Sequence, residues 1–267
     1  MPLFHCATCG AQFTPSDTPP ERCPICDDAR QYVPPSGQAW RTLDELRTAH
    51  RNEIRREGAY DGVGMDPPFA IGERALLVPA GDQFVMWDCL PLVDDGTADE
   101  IERRGGLAAI AISHPHYYTG MVDWAHRFDC PVLLHAGDRE WIMRRDQSIR
   151  LWETETHRLG DGVTLIRCGG HFSGATVLHW DAGAGGKGAL FTGDTIQVVL
   201  DRAHVSFMRS YPNLIPLSAT DVRRIVGAVQ PFAFDRIYGA FPGRTIMQEA
   251  KAALARSASR YVTALGG

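Results

Sequence analysis

Two histidines one residue apart, His114 and His116, lie in the segment SHPHYYTG directly after the apolar run LAAIAI. A strand that ends in such a pair can present both imidazoles to one metal ion. Two further ligand types follow the ends of later predicted strands, His171 in GGHFSG and Asp194 in FTGDT. Histidine with a carboxylate is a ligand set for zinc or iron, so we predict that these four residues bind a metal.

A second candidate site lies within the first 26 residues, where four of the seven cysteines form two Cys-x-x-Cys pairs, Cys6 with Cys9 and Cys23 with Cys26. Paired thiolates at this spacing close a tetrahedral site, and the metal supplies folding energy that so short and proline-rich a segment lacks. We predict zinc as a structural ion there, with iron as the alternative, since tetrahedral thiolate suits both.

The other cysteines, Cys89, Cys130 and Cys168, lie in or beside apolar runs and are predicted to be buried free thiols. An odd total of cysteines, in a chain whose first residues do not read as a secretion signal, favours a reducing compartment.

The amino-acid composition excludes only a few classes of binding partner. The chain of 267 residues is 44% apolar, and 27 basic against 32 acidic residues give a net charge of -5. No long run of one charge indicates nucleic-acid binding, and no apolar stretch is long enough to cross a membrane. We therefore expect a cytoplasmic protein with a small-molecule substrate and neither nucleic-acid nor membrane partners. The oligomeric state is left open.

The chain divides into three predicted parts: residues 1–37 as the metal module, 38–69 as a connector, and 70–267 as the main domain. Thr42 with Glu45 predicts a capped helix in the connector. In the main domain, strands are predicted at RALLVPA, QFVMWDC, LAAIAIS, PVLLHA, VTLIRCGG, ATVLHWDA, GALFTGD and DRIYGAF. Helices are predicted at TADEIERRGG, with Thr97 as N-cap, over 121–128, and at DREWIMRR, SATDVRRIVGAVQ and TIMQEAKAALARSASRYVTAL. Strands followed by helices in each half predict two facing sheets covered by helices.

Over roughly residues 70–267, the order strand, His-x-His, GGHxxG and TGD resembles the metallo-β-lactamase superfamily. The resemblance implies a four-layer αββα sandwich of the α/β (α+β) class, with one or two metals at the sheet edges, mostly for hydrolysis of esters, thioesters, lactams or phosphodiesters. The CxxCG and CPxC motifs resemble the rubredoxin-like module of rubrerythrins and, more generally, the zinc ribbon.

The resemblance implies that His114, His116 and His171 are ligands of a first metal, and that Asp194 is the carboxylate which normally lies between two metals. Three neutral imidazoles leave the full charge on the ion, which brings the pKa of a bound water toward neutrality. Asp194 is then a fourth ligand or the base that orients this water.

The chain departs from the superfamily pattern at the second metal. Tyr118 and Thr119 stand where an acid and a histidine belong, and Ala240 or Phe241 stands where a final histidine would follow the last strand. A second ion would keep only Asp194 as an anionic ligand, so its desolvation would not be offset. We therefore predict a mononuclear site.

Five further residues are candidates around the metal. We predict Tyr118 as a wall or hydrogen-bond donor in the catalytic pocket and Phe241 as its neighbour in the space of the second ion. His204 is a candidate catalytic residue. Arg202 and Arg209, in the segment after Asp194, are predicted to hold a substrate carboxylate or phosphate.

Three functions fit these residues. The leading hypothesis is a mononuclear metal-dependent hydrolase. An alternative is a mononuclear non-haem iron oxygenase, because sulfur dioxygenases of the same superfamily use a site of two histidines and a carboxylate, which His114, His171 and Asp194 would match. The third is a binding protein that keeps the sandwich without catalysis.

Overall fold

The computed structural model describes residues 1–266. The N-terminal part, residues 1–37 together with a strand that follows, is held by one short antiparallel pair, Phe4–Cys6 with Trp40–Thr42, and by the helical turn Pro24–Asp27. The predicted helix begins after Thr42 and spans Leu43–Ala49. Its capping box is present, with the Thr42 hydroxyl accepting from the Glu45 amide.

The first large sheet has seven strands and carries the His-x-His loop at the end of its fifth strand. The first four strands pair antiparallel with one another, and the fourth to the seventh strands pair parallel, so the fourth strand belongs to both groups. In spatial order the strands are Arg51–Glu57, Tyr60–Asp66, Arg74–Ala80, Gln83–Trp87, Leu107–Ala111, Val132–His135 and Ile149–Trp152.

The first two of these strands lie within the segment predicted as a connector, so this sheet begins at Arg51 and not near residue 70. Their sequences, RNEIRRE and YDGVGMD, lack an apolar run because Arg51–Glu57 forms the edge of the sheet and exposes most of its side chains. Charged residues on an edge strand also oppose pairing with another chain.

The second sheet has six strands and carries the other two predicted ligands. In spatial order the strands are Thr156–Gly160, Val163–Arg167, Thr176–Trp180, Ala189–Gly193, Arg236–Gly239 and Thr245–Ile246. Two short hairpins follow Asp194 and pair Gln197–Val198 with Val205–Ser206 and Met208–Ser210 with Ile215–Pro216.

Helices cover the outer face of each sheet. Asp95–Arg103 and Met121–Phe128 pack on the seven-stranded sheet, and Ala219–Val229 and Ala250–Ala264 pack on the six-stranded sheet. Between the sheets lies a third apolar cluster drawn from both of them. Buried strands such as RALLVPA read as unbroken apolar runs because both of their faces are covered. The predicted αββα sandwich is therefore confirmed.

Three predicted helices differ in their bounds or type. The first starts earlier than expected, since Asp94 and not Thr97 is the N-cap. The segment DREWIMRR forms only a 3-10 helix, Ala136–Trp141, comparable to the short one at Pro115–Tyr117. The last helix begins at Ala250, because residues 245–246 pair with the preceding strand. A glycine-rich helical turn, Gly183–Gly186, was not predicted.

The four-cysteine module, residues 1–37, docks on the sandwich through polar side chains. The Gln12 amide donates to Asp123 Oδ2 at 2.6 Å and contacts the ring of His5 at 3.0 Å. Arg144 donates to Gln12 Oε1 and, at 2.6 Å, to Asp123 Oδ1. Because these groups are largely buried, the network fixes the orientation of the module on the helix Met121–Phe128.

The Asp123→Asn variant tests this docking. We expect the free energy of unfolding to fall by about 1.5–3 kcal/mol, the usual worth of a hydrogen bond to a charged group, because Arg144 loses its anionic partner. Urea unfolding measures the change. The matched control is Glu153→Gln, which removes an exposed partner of Arg139 and should cause little measurable change. Equal effects of the two substitutions would contradict the network's role.

Within residues 1–266, no helix combines the length and apolar character needed to span a membrane.

Candidate metal centre

The four predicted ligands converge from the two sheets, although they are far apart in sequence. His114 and His116 follow the strand Leu107–Ala111 of the first sheet. His171 and Asp194 follow strands of the second sheet. One ligand atom from each of the four side chains lies within 4.8 Å of the others. We call this group the His pocket.

The distances in the His pocket suit a single tetrahedral ion. His114 Nε2 and His116 Nδ1 are 3.3 Å apart, and His114 Nε2 is 3.9 Å from Asp194 Oδ2. Nitrogens bound 2.0–2.1 Å from a tetrahedral zinc are about 3.4 Å from each other. His171 Nε2 and Asp194 Oδ1 are buried without a hydrogen-bond partner in residues 1–266, and an ion would satisfy both. The residues present therefore fit a metal.

Burial also sets the protonation of the ligands. Burial, followed by the neighbouring imidazoles and Arg30, lowers the pKa of His114 and His116 well below its usual value. Burial lowers the pKa of His171 to about 4. The three imidazoles are neutral at pH 7, which is the form that binds a metal. Burial raises the pKa of Asp194 to about 7, and a neighbouring cation would favour its charged form.

Hydrogen bonds to the other ring nitrogens orient two of the imidazoles. His171 Nδ1 donates to the carbonyl of Met208 at 3.0 Å, so Nε2 is the free acceptor. His114 Nδ1 contacts Ser113 Oγ at 2.9 Å, and the Ser113 amide donates to Asp88 Oδ1 at 2.7 Å. The loop that carries His114 is thereby fixed to the end of the neighbouring strand.

The turn before Asp194 requires a glycine. Gly193 has φ +49°, and a Cβ atom there would lie 2.5 Å from Ser113 Oγ. The two sheets approach closely at this point, since the Thr176 amide also donates to the Ser113 carbonyl at 2.8 Å. The TGD motif thus allows the loops of both sheets to meet at the His pocket.

Sequence reasoning missed one carboxyl group beside the pocket, that of Glu73. It lines a cavity of about 20 Å³ together with His116, Thr119 and Cys89, and its Oε1 is buried without a partner in residues 1–266. Burial, followed by the charges of Asp194 and a second carboxylate, raises the pKa of Glu73 well above its usual range. A neighbouring cation would favour the charged form of Glu73, as it would that of Asp194. No motif marks Glu73, which directly precedes the strand Arg74–Ala80.

The four-cysteine module contacts the loop where the second-metal ligands of the superfamily would stand. Gly10, at φ +79°, lies so close to Thr119 that a Cβ atom at Gly10 would be 3.2 Å from its Cγ2. Cys9 and Gly10 line the same small cavity as Thr119 and Glu73. Thr119 therefore packs against the module.

The structure does not bring His204 and Arg202 into the His pocket. The His204 ring lies 2.7 Å from Asp201 in the turn between residues 198 and 205, and Arg202 is exposed in the same turn with φ +53°. The segment after Asp194 folds as two hairpins, and the first of these carries both residues outward. Position in the sequence alone did not reveal this.

The other three predicted residues lie closer to the pocket. Arg209 follows Met208, whose carbonyl holds His171. Tyr118 is buried in the apolar cluster under the first sheet, and Phe241 packs against that cluster. Burial raises the pKa of Tyr118 well above its usual value, so its phenol is neutral. Their predicted roles in catalysis and substrate binding remain predictions.

The second candidate site is equally well assembled. Cys6 Sγ lies 3.6 Å from Cys26 Sγ, and Cys9 Sγ lies 3.6 Å from Cys23 Sγ. Thiolates around a tetrahedral zinc are about 3.8 Å apart, whereas a disulfide requires about 2.05 Å. The four thiols are buried and free, and all lie within 4.8 Å of one another. This cluster is compatible with a zinc ribbon.

The remaining cysteines are buried free thiols, as predicted. Burial raises the pKa of Cys130 and Cys168 to about 12, which makes both thiols unreactive at neutral pH.

Comparisons with known proteins agree with this architecture. A curated relative, described as the uncharacterized protein YmaE of Bacillus subtilis strain 168, is 44% identical over 268 residues, which covers 99% of this chain and 97% of the relative. No family model matches the chain.

Two solved structures show the fold. The metallo-β-lactamase DIM-1 matches with a TM-score of 0.58 and 14% identity, over 80% of this chain and 98% of its own. The metallo-β-lactamase FIM-1 from Pseudomonas aeruginosa, in its mono-zinc form, matches with a TM-score of 0.57 and 12% identity, over 79% of this chain and 96% of its own. At this identity the likeness concerns the fold alone.

Proposed function

Because this chain belongs to the family of the uncharacterized protein YmaE and has the metallo-β-lactamase fold, we propose that it is a metal-dependent hydrolase with a mononuclear site. One observation carries the proposal: three imidazoles and a carboxylate offer their ligand atoms within 4.8 Å of one another in a buried pocket between two sheet edges. The substrate is a small molecule with an ester, thioester, lactam or related bond.

His114, His116 and His171 would hold the ion, with Asp194 as a fourth ligand or a base. Zinc in such a site supplies a Lewis acid and lowers the pKa of a bound water toward 7. The mono-zinc form of FIM-1 is a precedent on this fold for one ion. Thr119, which packs against the module, offers no charged ligand at the second position, and this supports one ion in the present pocket.

The residues of this chain have separate roles in the proposed reaction. Met208 and Ser113 fix the orientation of the His171 and His114 imidazoles, so these ligands need no reorganisation. Asp194, whose pKa is raised to about 7, can accept a proton from the attacking water in its charged form. The buried rings exclude bulk solvent, which strengthens each electrostatic interaction within the pocket.

Metal analysis combined with a substrate screen tests this function. Purified protein is analysed for zinc and iron per chain, and hydrolysis is then measured on ester, thioester and lactam substrates. We expect one ion in the His pocket beside the ion in the four-cysteine site, and metal-dependent hydrolysis in one of these classes. Two ions in the His pocket would overturn the mononuclear site. Metal bound only in the four-cysteine site would overturn the proposal that this protein is a metal-dependent hydrolase.

The Asp194→Asn variant separates binding of the metal from catalysis. Since three imidazoles remain, we expect the variant to keep its ion and to lose about 10²–10⁴-fold in kcat, the usual contribution of a positioned base. Steady-state kinetics, with metal content measured on the same sample, checks the result. Full activity of the variant at full metal occupancy would show that Asp194 is not a catalytic residue.

A further inference from the structure

The four-cysteine module places one arginine, Arg30, beside the His pocket. Its Cζ lies 4.1 Å from the centre of the Phe172 ring and 5.4 Å from that of Trp141. The centre of the Phe172 ring in turn lies 5.2 Å from that of His171 and 5.1 Å from that of His116. A single aromatic ring therefore connects Arg30 to two of the predicted metal ligands.

The guanidinium of Arg30 is only partly satisfied by the protein, through an ion pair of its Nε with Asp28. Its Nε and Nη1 are buried and have no hydrogen-bond partner in residues 1–266. The Asp28 carboxylate approaches Nε only to 3.5 Å and accepts instead from the Arg30 amide at 2.9 Å. The Arg30 side chain keeps 12% of its surface exposed. Buried charged donors without a hydrogen-bond partner are costly, and a ligand that accepts from Nη1 would offset this cost.

A second arginine reinforces this charge. Burial lowers the pKa of Arg30 most, and the positive charge of Arg209 lowers it as well. Carboxylates act in the opposite direction, namely those of Asp28, Asp138 and Glu140. Burial is the main cause of the lowered pKa of His171, and the positive charge of Arg209 lowers this pKa further. Two guanidinium groups repel each other, and an anion that binds both of them would offset that cost.

The backbone around Arg30 is fixed to the hairpin that carries Arg209. The Ser210 hydroxyl donates to the Arg30 carbonyl at 3.0 Å. The Asn213 amide donates to the carbonyls on either side of it, those of Ala29 at 3.0 Å and Gln31 at 2.9 Å. The backbone at Arg30 and the hairpin that carries Arg209 are thus joined by hydrogen bonds between the module and the sandwich.

We propose that Arg30 and Arg209 together bind an anionic group of the substrate, a carboxylate or a phosphate, next to the bond that is hydrolysed. This inference rests on the proposed function and names its substrate class. It also gives the four-cysteine module a role beyond its own stability, because the module supplies a substrate-binding residue to the pocket of the sandwich.

Anion binding to the metal-loaded full-length protein tests the proposal. Inorganic phosphate and succinate are titrated separately by calorimetry, so that phosphate and carboxylate are distinguished. We expect Arg30→Gln and Arg209→Gln to raise the Kd of the preferred anion by about 10-fold or more, since one charge-assisted hydrogen bond is worth more than a kcal/mol. Arg30→Lys should fall between them and the wild type. The control, Arg22→Gln, changes a 69% exposed arginine of the same module and should leave the Kd unchanged.

The outcomes separate this proposal from the proposed hydrolase. An unchanged Kd in Arg30→Gln, with the metal content and circular dichroism of the wild type, would overturn the role of Arg30 and leave the hydrolase standing. A wild-type protein that binds neither anion would also overturn the anion site and leave the proposed hydrolase standing. Arginine-dependent binding in a protein that hydrolyses none of the substrates would support the anion site and count against the hydrolase. If both Arg30 variants fail to fold, the Kd of the anion for Arg209→Gln tests the anion site, and an unchanged Kd would overturn it.

Discussion

Replacing His116 with alanine is expected to empty the His pocket of metal while leaving the four-cysteine site loaded. The zinc content should fall by one ion per chain. Groups that merely orient a ligand already change metal affinity by about 10–100-fold, so loss of a ligand should exceed about 100-fold. Hydrolysis should fall with the metal. The fold should persist, since three apolar clusters on and between the sheets form the core.

A matched control for this variant is His179→Gln. His179 is also buried, but it lies in the second sheet outside the pocket, with its Nε2 donating to the Ala233 carbonyl at 2.7 Å. Metal content should therefore equal that of the wild type. Atomic absorption spectroscopy measures the metal content of both variants. A His116→Ala protein with a full complement of metal would refute the assignment of the His pocket, and loss of metal in both would indicate a general folding defect.

The second large effect is expected for the double variant Cys9→Ser with Cys26→Ser, which removes one thiolate from each of the 3.6 Å pairs. Structural zinc contributes about 10–16 kcal/mol to folding in small modules, far more than the short strand pair Phe4–Cys6 with Trp40–Thr42 can replace. The module should unfold and become sensitive to protease. Because Arg30 and Gln12 then leave the sandwich, substrate binding should also weaken.

Limited proteolysis, metal content and KM measure these consequences together. The control is Cys130→Ser, which changes a buried thiol outside both sites and should keep both ions. A double variant whose first 37 residues resist protease as in the wild type would show that the thiols do not hold the module together. Unchanged KM after proven loss of the module would separate the module from the active site.

Thr119 and Tyr118 are the two consecutive positions at which the resemblance seen in the sequence would place metal ligands. Thr119 packs against Gly10 of the module, and Tyr118 belongs to the apolar core. Metal ligands at these positions would have to be polar and directed into the pocket, whereas the residues present serve packing. Cys9 and Gly10 of the module line the small cavity that Thr119 shares with His116 and Glu73.

The sequence by itself predicted the candidate ligands and the layers. His114, His116, His171 and Asp194 could be identified because each follows a strand that reads as an apolar run, and because ligand chemistry depends on residue type. The four cysteines were equally visible, since their spacing is local. The two facing sheets were predicted from strands followed by helices in each half, and the αββα order was implied by the resemblance to the metallo-β-lactamase superfamily.

Only the tertiary structure decided what surrounds these ligands. Glu73 and Arg30 carry no motif, and they reach the pocket because a strand start and a docked module place them there. His204 has the right residue type but lies on a hairpin that turns it away. Contacts between residues far apart in sequence depend on register, on turns and on docking of whole elements, and none of these can be read from a single segment.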